Sequence, residues 1–478
     1  MTKTLEDDIL DSVREHGEKK KEKPVYTAKF DDLVDLVAND HEIKFLTFDG
    51  QVYGERILDE KTYIPPKKVS WLLPRLDNIL EEVAKHTDIS DSLVRSDSNV
   101  GTDTVCNYCD KELYPFLVSD YFPTYSTLPT QYHYDYLAWV AFSSHIIERF
   151  NYSPILFLVS NTGRGKSPTL KALAYISRRG IYTETFREAN IIRWANDYEA
   201  SLFFDVTNLA KKIDRNDAED LIFGRAERGV TTSRVLNPDK GAFNDMTDFN
   251  MFGITGATSN RDIDQITSER CFTVHMPLST KIFPYPQKET SLPVKEKLTA
   301  FRMAHFNTSL IEMKKERFGK LEDYFLDYHR MIKTFFPSHE EAFLKFKEIM
   351  KEDRGERTAN SFEAKMVLLI ESLEDKVEDG SLCLLYEDIL AEYNLDKEKK
   401  LNGAAISSIF RKMGFTPRRN KAGNKRGLFF DKDLINNLKE LNSIESENDR
   451  AVSIPLSERT EESEVSEDLG IDPDKLPF

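Results

Sequence analysis

Ile155-Leu156-Phe157-Leu158-Val159-Ser160-Asn161-Thr162-Gly163-Arg164-Gly165-Lys166-Ser167-Pro168-Thr169-Leu170-Lys171-Ala172-Leu173 is the stretch on which the fold turns. A five-residue apolar run enters a glycine-containing turn, and Leu170, Leu173 and Ala174 leave it at helical spacing. Strand, loop and helix in that order make a phosphate-binding loop. Glycine lets backbone N–H groups curl around a polyphosphate, lysine neutralises its oxygens, a hydroxyl holds Mg²⁺, and the helix N-terminus adds positive potential. Ser160, Asn161, Thr162, Gly163, Arg164, Gly165, Lys166 and Ser167 are therefore the expected nucleotide cradle, with ATP and Mg²⁺ as the expected cofactors. The strict pattern has glycine where this chain has Ser160, a small residue that the turn tolerates. Pro168 falls in the first helical turn, where its missing N–H would be unpaired in any case.

A Mg²⁺-nucleotide site also needs a carboxylate at a strand end, and Ser201-Leu202-Phe203-Phe204-Asp205 supplies one. The 39 residues from Lys166 to Asp205 leave room for a helix and an intervening strand. The next residue is Val206, where a glutamate commonly polarises the attacking water, so the base comes from elsewhere or turnover is slow. Thr207 and Asn208 can orient a water but not deprotonate it. Downstream, Asn250 to Thr255 reads as a buried strand running into Gly256-Ala257-Thr258-Ser259-Asn260, whose terminal amide suits contact with the γ-phosphate. Arg270, just before the apolar run Cys271 to Met276, suits charge developing on a transferred phosphoryl group.

In that order, these elements resemble the P-loop ATPases of the primase–helicase type carried by plasmids, phages and archaeal mobile elements, related to superfamily 3 and AAA+ helicases. The resemblance covers about Tyr132 to Leu278. It implies a RecA/AAA+-like core in which Lys166 binds the β/γ-phosphates, Ser167 and Asp205 hold Mg²⁺, Asn260 senses the γ-phosphate, and Arg270 serves a neighbouring subunit. It further implies a homo-oligomeric ring on DNA, a hexamer being favoured, and a role in replicating a mobile element or virus. Val206 departs from the family pattern, which keeps open a second class: a nucleotide-gated DNA-binding initiator that hydrolyses little. Val230 to Leu236, Asn237-Pro238-Asp239-Lys240-Gly241 and Ala242 to Met246 read as two strands and a tight turn. In the helicase relatives such a hairpin grips DNA, which would put Lys240 on phosphate; a plain surface hairpin is the alternative.

Leu384 to Tyr393, Ala404 to Met413 and Gly414 to Phe430 have the rhythm of helix, helix and two-stranded wing, a winged-helix DNA-binding module. Arg411, Lys412, Arg418, Arg419, Lys421, Lys425 and Arg426 fall there with no acid between Ala404 and Phe430. In a chain of net charge −16, that island is an electrostatic footprint for DNA phosphate, although wings also meet proteins. The acid lies elsewhere, with eleven acidic against three basic residues from Leu441 to Phe478.

At 478 residues the chain exceeds one ordinary core. The expected organisation is a charged leader (1–24), an N-terminal mixed α/β module (25–130), the P-loop ATPase domain (131–280), a helical lid or bridge (281–374), the winged helix (375–440) and a disordered acidic tail (441–478). Within the N-terminal module, Asp31 to Asn39 reads as a helix, followed by strands around Ile43 to Phe48 and Gln51 to Ile57. A helix from Tyr132 to Phe150 should carry Trp139, Phe142 and Ile146 into the phosphate-loop strand. The final Gly470-Ile471-Asp472-Pro473-Asp474-Lys475-Leu476-Pro477-Phe478 resembles the acidic tip of bacterial single-stranded-DNA-binding proteins and implies a replication partner.

No apolar run approaches the roughly 20 residues that span a bilayer, and Met1 to Pro24 is not signal-like, so a cytoplasmic protein without membrane partners is expected. Four cysteines fit a reducing compartment. Cys106 and Cys109 form a lone CxxC, followed at a distance by His133 and His145. Zinc commonly takes two such pairs, and Cys271 and Cys383 belong to other elements. Ordinary reduced thiols are therefore the reading, with metal binding as the alternative.

Overall fold

The computed structural model describes residues 24–59, 61–87, 106–206, 219–235, 246–260, 270–314, 320–359, 362–378, 382–395 and 401–441. The leader, the acidic tail with its tip, Thr207, Asn208 and the hairpin tip with Lys240 lie outside them. The chain divides into two compact units, Met1–Glu348 and Ile349–Phe478. Among the described residues no helix is long and apolar enough to cross a membrane.

The first unit begins with β1 (Val25–Tyr26), β2 (Leu33–Asn39), β3 (Glu42–Thr47), β4 (Val52–Tyr53), β5 (Arg56–Leu58) and β6 (Lys61–Ile64), then α1 (Leu76–Thr87). β2, β3 and β4 form an antiparallel meander, and β6 joins β1 to β5 in a second small sheet. The helix expected over Asp31 to Asn39 is strand β2. Two facts override helical spacing there: the run Leu33-Val34-Asp35-Leu36-Val37 is buried throughout, and Asp40 and His41 both take positive φ (49° and 66°), making a two-residue hairpin turn.

Asp35 is fully buried in that strand and accepts from Arg179 Nε at 2.6 Å. Arg179 Nη1 also donates to the carbonyls of Ala28 (2.6 Å) and Tyr198 (2.7 Å). The N-terminal strands are thus tied into the body of the unit.

Cys106 opens an irregular helical run to Tyr125, and α2 (Gln131–His145) follows. The expected helix to Phe150 ends five residues earlier and passes into a single 3₁₀ turn, Ile147–Arg149. Next come β7 (Ile155–Val159), α3 (Lys166–Ile176), β8 (Ile181–Thr183), α4 (Glu188–Tyr198), β9 (Leu202–Phe204), the hairpin β10 (Thr231–Val235) and β11 (Met246–Asn250), then β12 (Thr255–Ser259) and β13 (Cys271–His275). The hairpin is antiparallel as expected, and of its expected second strand all but Met246 lies outside the described residues. The strand expected over Asn250 to Thr255 begins only at Thr255, because Gly253 (φ 159°) and its neighbours form the turn between β11 and β12.

Five parallel strands stand in the order β13-β7-β12-β9-β8. β7 lies inside this sheet and is buried at all five residues, which accounts for its unbroken apolar sequence. Ile155, Phe157 and Val159 share one core with Leu202, Phe204 and α4 residues Ile191, Ile192 and Ala195. On β13, Phe272 packs against Tyr136 of α2 (5.3 Å between ring centroids) and against Phe325 (5.0 Å). Gly256 lets strand and helix close up: a Cβ there would meet Phe203 at 2.8 Å and Leu170 at 2.9 Å.

The expected lid or bridge supplies α5 (Lys288–Ala304) and α6 (Lys320–Phe335), and its Tyr324, Phe325, Phe335 and Phe336 are buried. Arg302 of α5 donates to the carbonyls of Val34 (2.6 Å) and Leu33 (3.0 Å), and Lys295 to that of Ser177 (3.0 Å).

The second unit carries α7 (Phe362–Ser372), β14 (Cys383–Leu385), α8 (Tyr386–Tyr393), α9 (Gly403–Lys412), β15 (Pro417–Arg419), β16 (Arg426–Phe429) and α10 (Lys432–Leu441). β16 pairs antiparallel with β14 and β15, over a core of Leu384, Ile389, Ile406, Phe410 and Leu428. Asn402 caps α9 by accepting from Ala405 N at 2.9 Å.

The Asp35–Arg179 pair is the clearest stability test in the first unit. Burial opposes ionisation of Asp35, but the charges of Arg179, Arg178 and Lys295 outweigh it and hold the carboxyl at about 2. Asp35→Asn leaves Arg179 buried without its counter-charge and should cost about 3–5 kcal/mol in thermal or denaturant unfolding. Because the folded value lies below the unfolded one of about 4, this contribution is complete above that pH and is lost on acidification toward about 2. The gap between wild type and variant should narrow over that window.

Candidate functional site

Every strand of the five-stranded sheet runs the same way, so their carboxyl ends share one edge, where loops after β7, β8, β9 and β12 converge. A cleft of about 720 Å³ opens there, lined by Thr162 to Pro168, Asp205, Thr258 to Asn260, Glu184, Lys281 and Phe283 among others.

The loop after β7 turns on two left-handed glycines, Gly163 (φ 83°) and Gly165 (φ 84°), the second being the N-cap of α3. A side chain at either position would be strained. Lys166, the first residue of α3, is largely buried, and its Nζ donates to Ser160 O (2.6 Å), Ser160 Oγ (3.0 Å) and Asn161 O (2.9 Å). The ammonium is therefore folded across the mouth of its own loop, and Ser160 uses its hydroxyl to hold it. Burial draws Lys166 below its ordinary pKa, with the Arg164 charge adding to the effect and Asp205 opposing it.

Asp205 stands just beyond β9, with β12 between its strand and β7. Its carboxylate is the meeting point of three elements. Thr258 Oγ1 donates to Oδ1 at 2.6 Å, the Tyr182 hydroxyl donates to Oδ2, and the Ser167 hydroxyl at the start of α3 lines the same cleft. Burial raises its pKa, but these three hydroxyls and the Lys166 charge outweigh burial and hold it below the usual carboxylate value. An ionised carboxylate beside a serine hydroxyl and a lysine, under a left-handed N-cap, is a donor set for a hard cation bridged to phosphate. That is the fit expected for Mg²⁺ with a nucleotide.

Of the expected site residues, the structure brings Lys166, Ser167, Asp205 and Asn260 to this cleft, Asn260 on its exposed rim. Arg270 is placed elsewhere. It precedes β13, whose Cys271 pairs with Ile155, so it lies at the amino edge of the sheet with its guanidinium 4.7 Å from the centroid of Phe223. The four-residue rise of β7 separates the two edges by roughly 13 Å. Arg270 is thus absent from its own chain's cleft.

Sequence reasoning missed Tyr182, Glu184 and Lys281. Tyr182 and Glu184 lie two residues apart across the end of β8, a period-two signal that marks one face of a strand but is too short to find unaided.

In the second unit Arg411, Lys412, Arg418, Arg419, Lys421, Lys425 and Arg426 are all exposed. Lys425 pairs with Glu387, and Arg418 lies 4.8 Å from the centroid of Phe429.

No family model matches this chain. No curated protein matches it either. Among solved structures it is similar to the apo C-terminal region of NrS-1 in its A form, at 11% identity and a TM-score of 0.34 over 78% of this chain and 82% of that one. A second apo structure of that region gives 13% identity and a TM-score of 0.31 over 79% and 82%.

Proposed function

We propose that the first unit is a RecA/AAA+-like P-loop ATPase that binds Mg²⁺-ATP at the carboxyl edge of the parallel sheet, and that the protein is a DNA helicase or translocase serving replication of a mobile element. The observation that carries this reading is the convergence of Lys166, Ser167 and Asp205 on one cleft from two separate strand ends. Lys166 would release the Ser160 and Asn161 oxygens and move onto the β/γ-phosphates, while the N–H groups from Gly163 to Ser167 cradle them. Ser167 and Asp205 would hold the metal, which neutralises charge on the phosphates. Asn260 would reach the γ-phosphate from the rim. Because Arg270 is remote from its own cleft, a finger role requires a neighbouring subunit, in keeping with a ring, for which a hexamer is the favoured form. The exposed basic residues on β15, β16 and the end of α9 support a winged-helix contact with DNA phosphate.

Val206 supports a second reading, a nucleotide-gated DNA-binding initiator with little turnover. Its side chain is buried and carries no base. Glu184 favours the first reading, because it is an exposed carboxylate lining the same cleft and can take the role that Val206 cannot.

Lys166→Ala should weaken Mg²⁺-ATP binding by about 2–3 kcal/mol, roughly 30- to 150-fold in Kd by calorimetry; unchanged affinity would mean the site is wrongly assigned.

Glu184→Gln should lower single-stranded-DNA-stimulated ATP hydrolysis about 100-fold or more while leaving ATP affinity intact. Binding of ATP with negligible hydrolysis by the wild type, with or without DNA, supports the initiator instead.

Replacing Lys412, Arg419, Lys421 and Arg426 by alanine should weaken DNA binding and flatten its dependence on log salt by up to about 0.9 per lost phosphate contact. Titrations of labelled DNA at several salt concentrations read both effects, and ATP affinity should not change.

A further inference from the structure

A second constellation of ligating side chains lies in the first unit, built from residues far apart in sequence. His86 stands near the end of α1, Cys106 and Cys109 open the irregular helical run, and His305 is the C-cap of α5. Their ligand atoms all lie within 4.8 Å of one another. Cys109 Sγ is 3.1 Å from His86 Nδ1 and 3.5 Å from His305 Nε2, and Cys106 Sγ is 3.9 Å from His86 Nδ1. A tetrahedral zinc with Zn–S near 2.3 Å and Zn–N near 2.0–2.1 Å sets neighbouring ligand atoms roughly 3.4–3.8 Å apart. Three of the observed separations bracket that range. The two sulfurs are nearer, at 2.6 Å, and both belong to free cysteines.

We propose that His86, Cys106, Cys109 and His305 form a structural Cys₂His₂ zinc site. Softness selects the metal, since two thiolates and two imidazoles in tetrahedral array suit zinc better than magnesium or calcium. The backbone prepares the sulfur: Cys109 N donates to Cys106 Sγ at 3.3 Å, so the two-residue spacing folds a main-chain donor onto a ligand that must carry negative charge. Cys106, Cys109 and His86 are buried, which leaves no coordination position open to solvent and makes the site structural. His86 Nε2 is buried with no hydrogen-bond partner among the described residues, so the polar contacts of that ring run through Nδ1 to the sulfurs. Tyr108 meets the His86 ring edge-on at 4.8 Å, and Phe301 and Phe335 flank His305 at 5.2 and 5.1 Å. The histidines that follow the CxxC in sequence are committed elsewhere, His133 to Thr130 Oγ1 (2.8 Å) and His145 to Ile176 O (3.0 Å). The metal would clasp three segments, and the longest loop it closes, the 196 positions from Cys109 to His305, is where a cross-link restricts the unfolded chain most.

The test is metal analysis of the full chain, expressed in zinc-supplemented medium and dialysed against metal-free buffer. One zinc ion per chain is expected, with thiolate-to-metal charge transfer and tetrahedral d–d bands after exchange for Co²⁺. Cys106→Ser/Cys109→Ser should lose the metal. Where that variant fails to fold, His305→Asn removes only the most exposed ligand and should alter the tetrahedral d–d bands or release zinc to a chromogenic chelator. A chain that retains no zinc, that carries a Cys106–Cys109 disulfide by alkylation and mass measurement, or that keeps full zinc in both variants overturns the proposal. Since these readouts involve no nucleotide, they stand apart from the assignment of the ATP site.

Discussion

Parallel pairing is the constraint from which the rest of the first unit follows. When β7, β8, β9, β12 and β13 run together, all their carboxyl ends must share one edge, and anything carried just past those ends is brought together regardless of sequence separation. That is how Ser167, Asp205 and Thr258, spread over ninety-one positions, come to line one cleft. The same constraint sends Arg270, which precedes its strand, to the opposite edge. One topological fact therefore gathers the side chains that line the cleft and keeps the arginine away from it.

Such a sheet is buried on both faces, so its covering layers must be held in place. Buried cations do much of this by drawing backbone carbonyls together. Arg225 donates to the carbonyls of Ala200, Met251 and Ile254 and to Thr255 Oγ1, gathering the segments that lead into β9 and β12. Burial lowers it to about 9. Arg179 and Arg302 perform the equivalent task for β2, one through Asp35 and the other through the carbonyls of Leu33 and Val34. A guanidinium satisfied by several carbonyls costs less to bury than an isolated charge, and its fixed fork dictates where each strand can lie.

What the sequence showed, and what it hid, divides along the same physical line. The glycine turn after β7, Asp205 at the end of β9 and the exposed basic residues around β15 and β16 were legible because each is a local pattern: a strand running into a glycine turn, an acid at a strand end, a run of one charge. β2 was not, since an apolar run of five residues with an interior aspartate fits a helix face or a buried strand equally well, and only Arg179, 144 residues away, makes Asp35 tolerable there. The carboxylate on the cleft wall was hidden for a related reason. Glu184 follows an edge strand of three residues, too short for periodicity to announce. The histidine partners of the CxxC could not be read by proximity, because one precedes it and the other lies 196 positions beyond Cys109.

α5 connects these observations into one mechanical argument. The segment before it carries Lys281 and Phe283 into the cleft, and its C-cap is His305 of the thiol–imidazole cluster, about 25 Å away along a 17-residue helix. Between those ends it is fastened at Ser291 to Tyr121, at Lys295 to Ser177, at Glu296 to Arg75 and at Arg302 to β2. Ser177 follows the last residue of α3, the helix that begins with Lys166. The loop after β7 and the Lys281 segment are thus held by two helices bolted to each other. Their relative position is set by buried polar contacts, and a clasp at His305 would fix the far end of the strut on which one wall of the cleft depends.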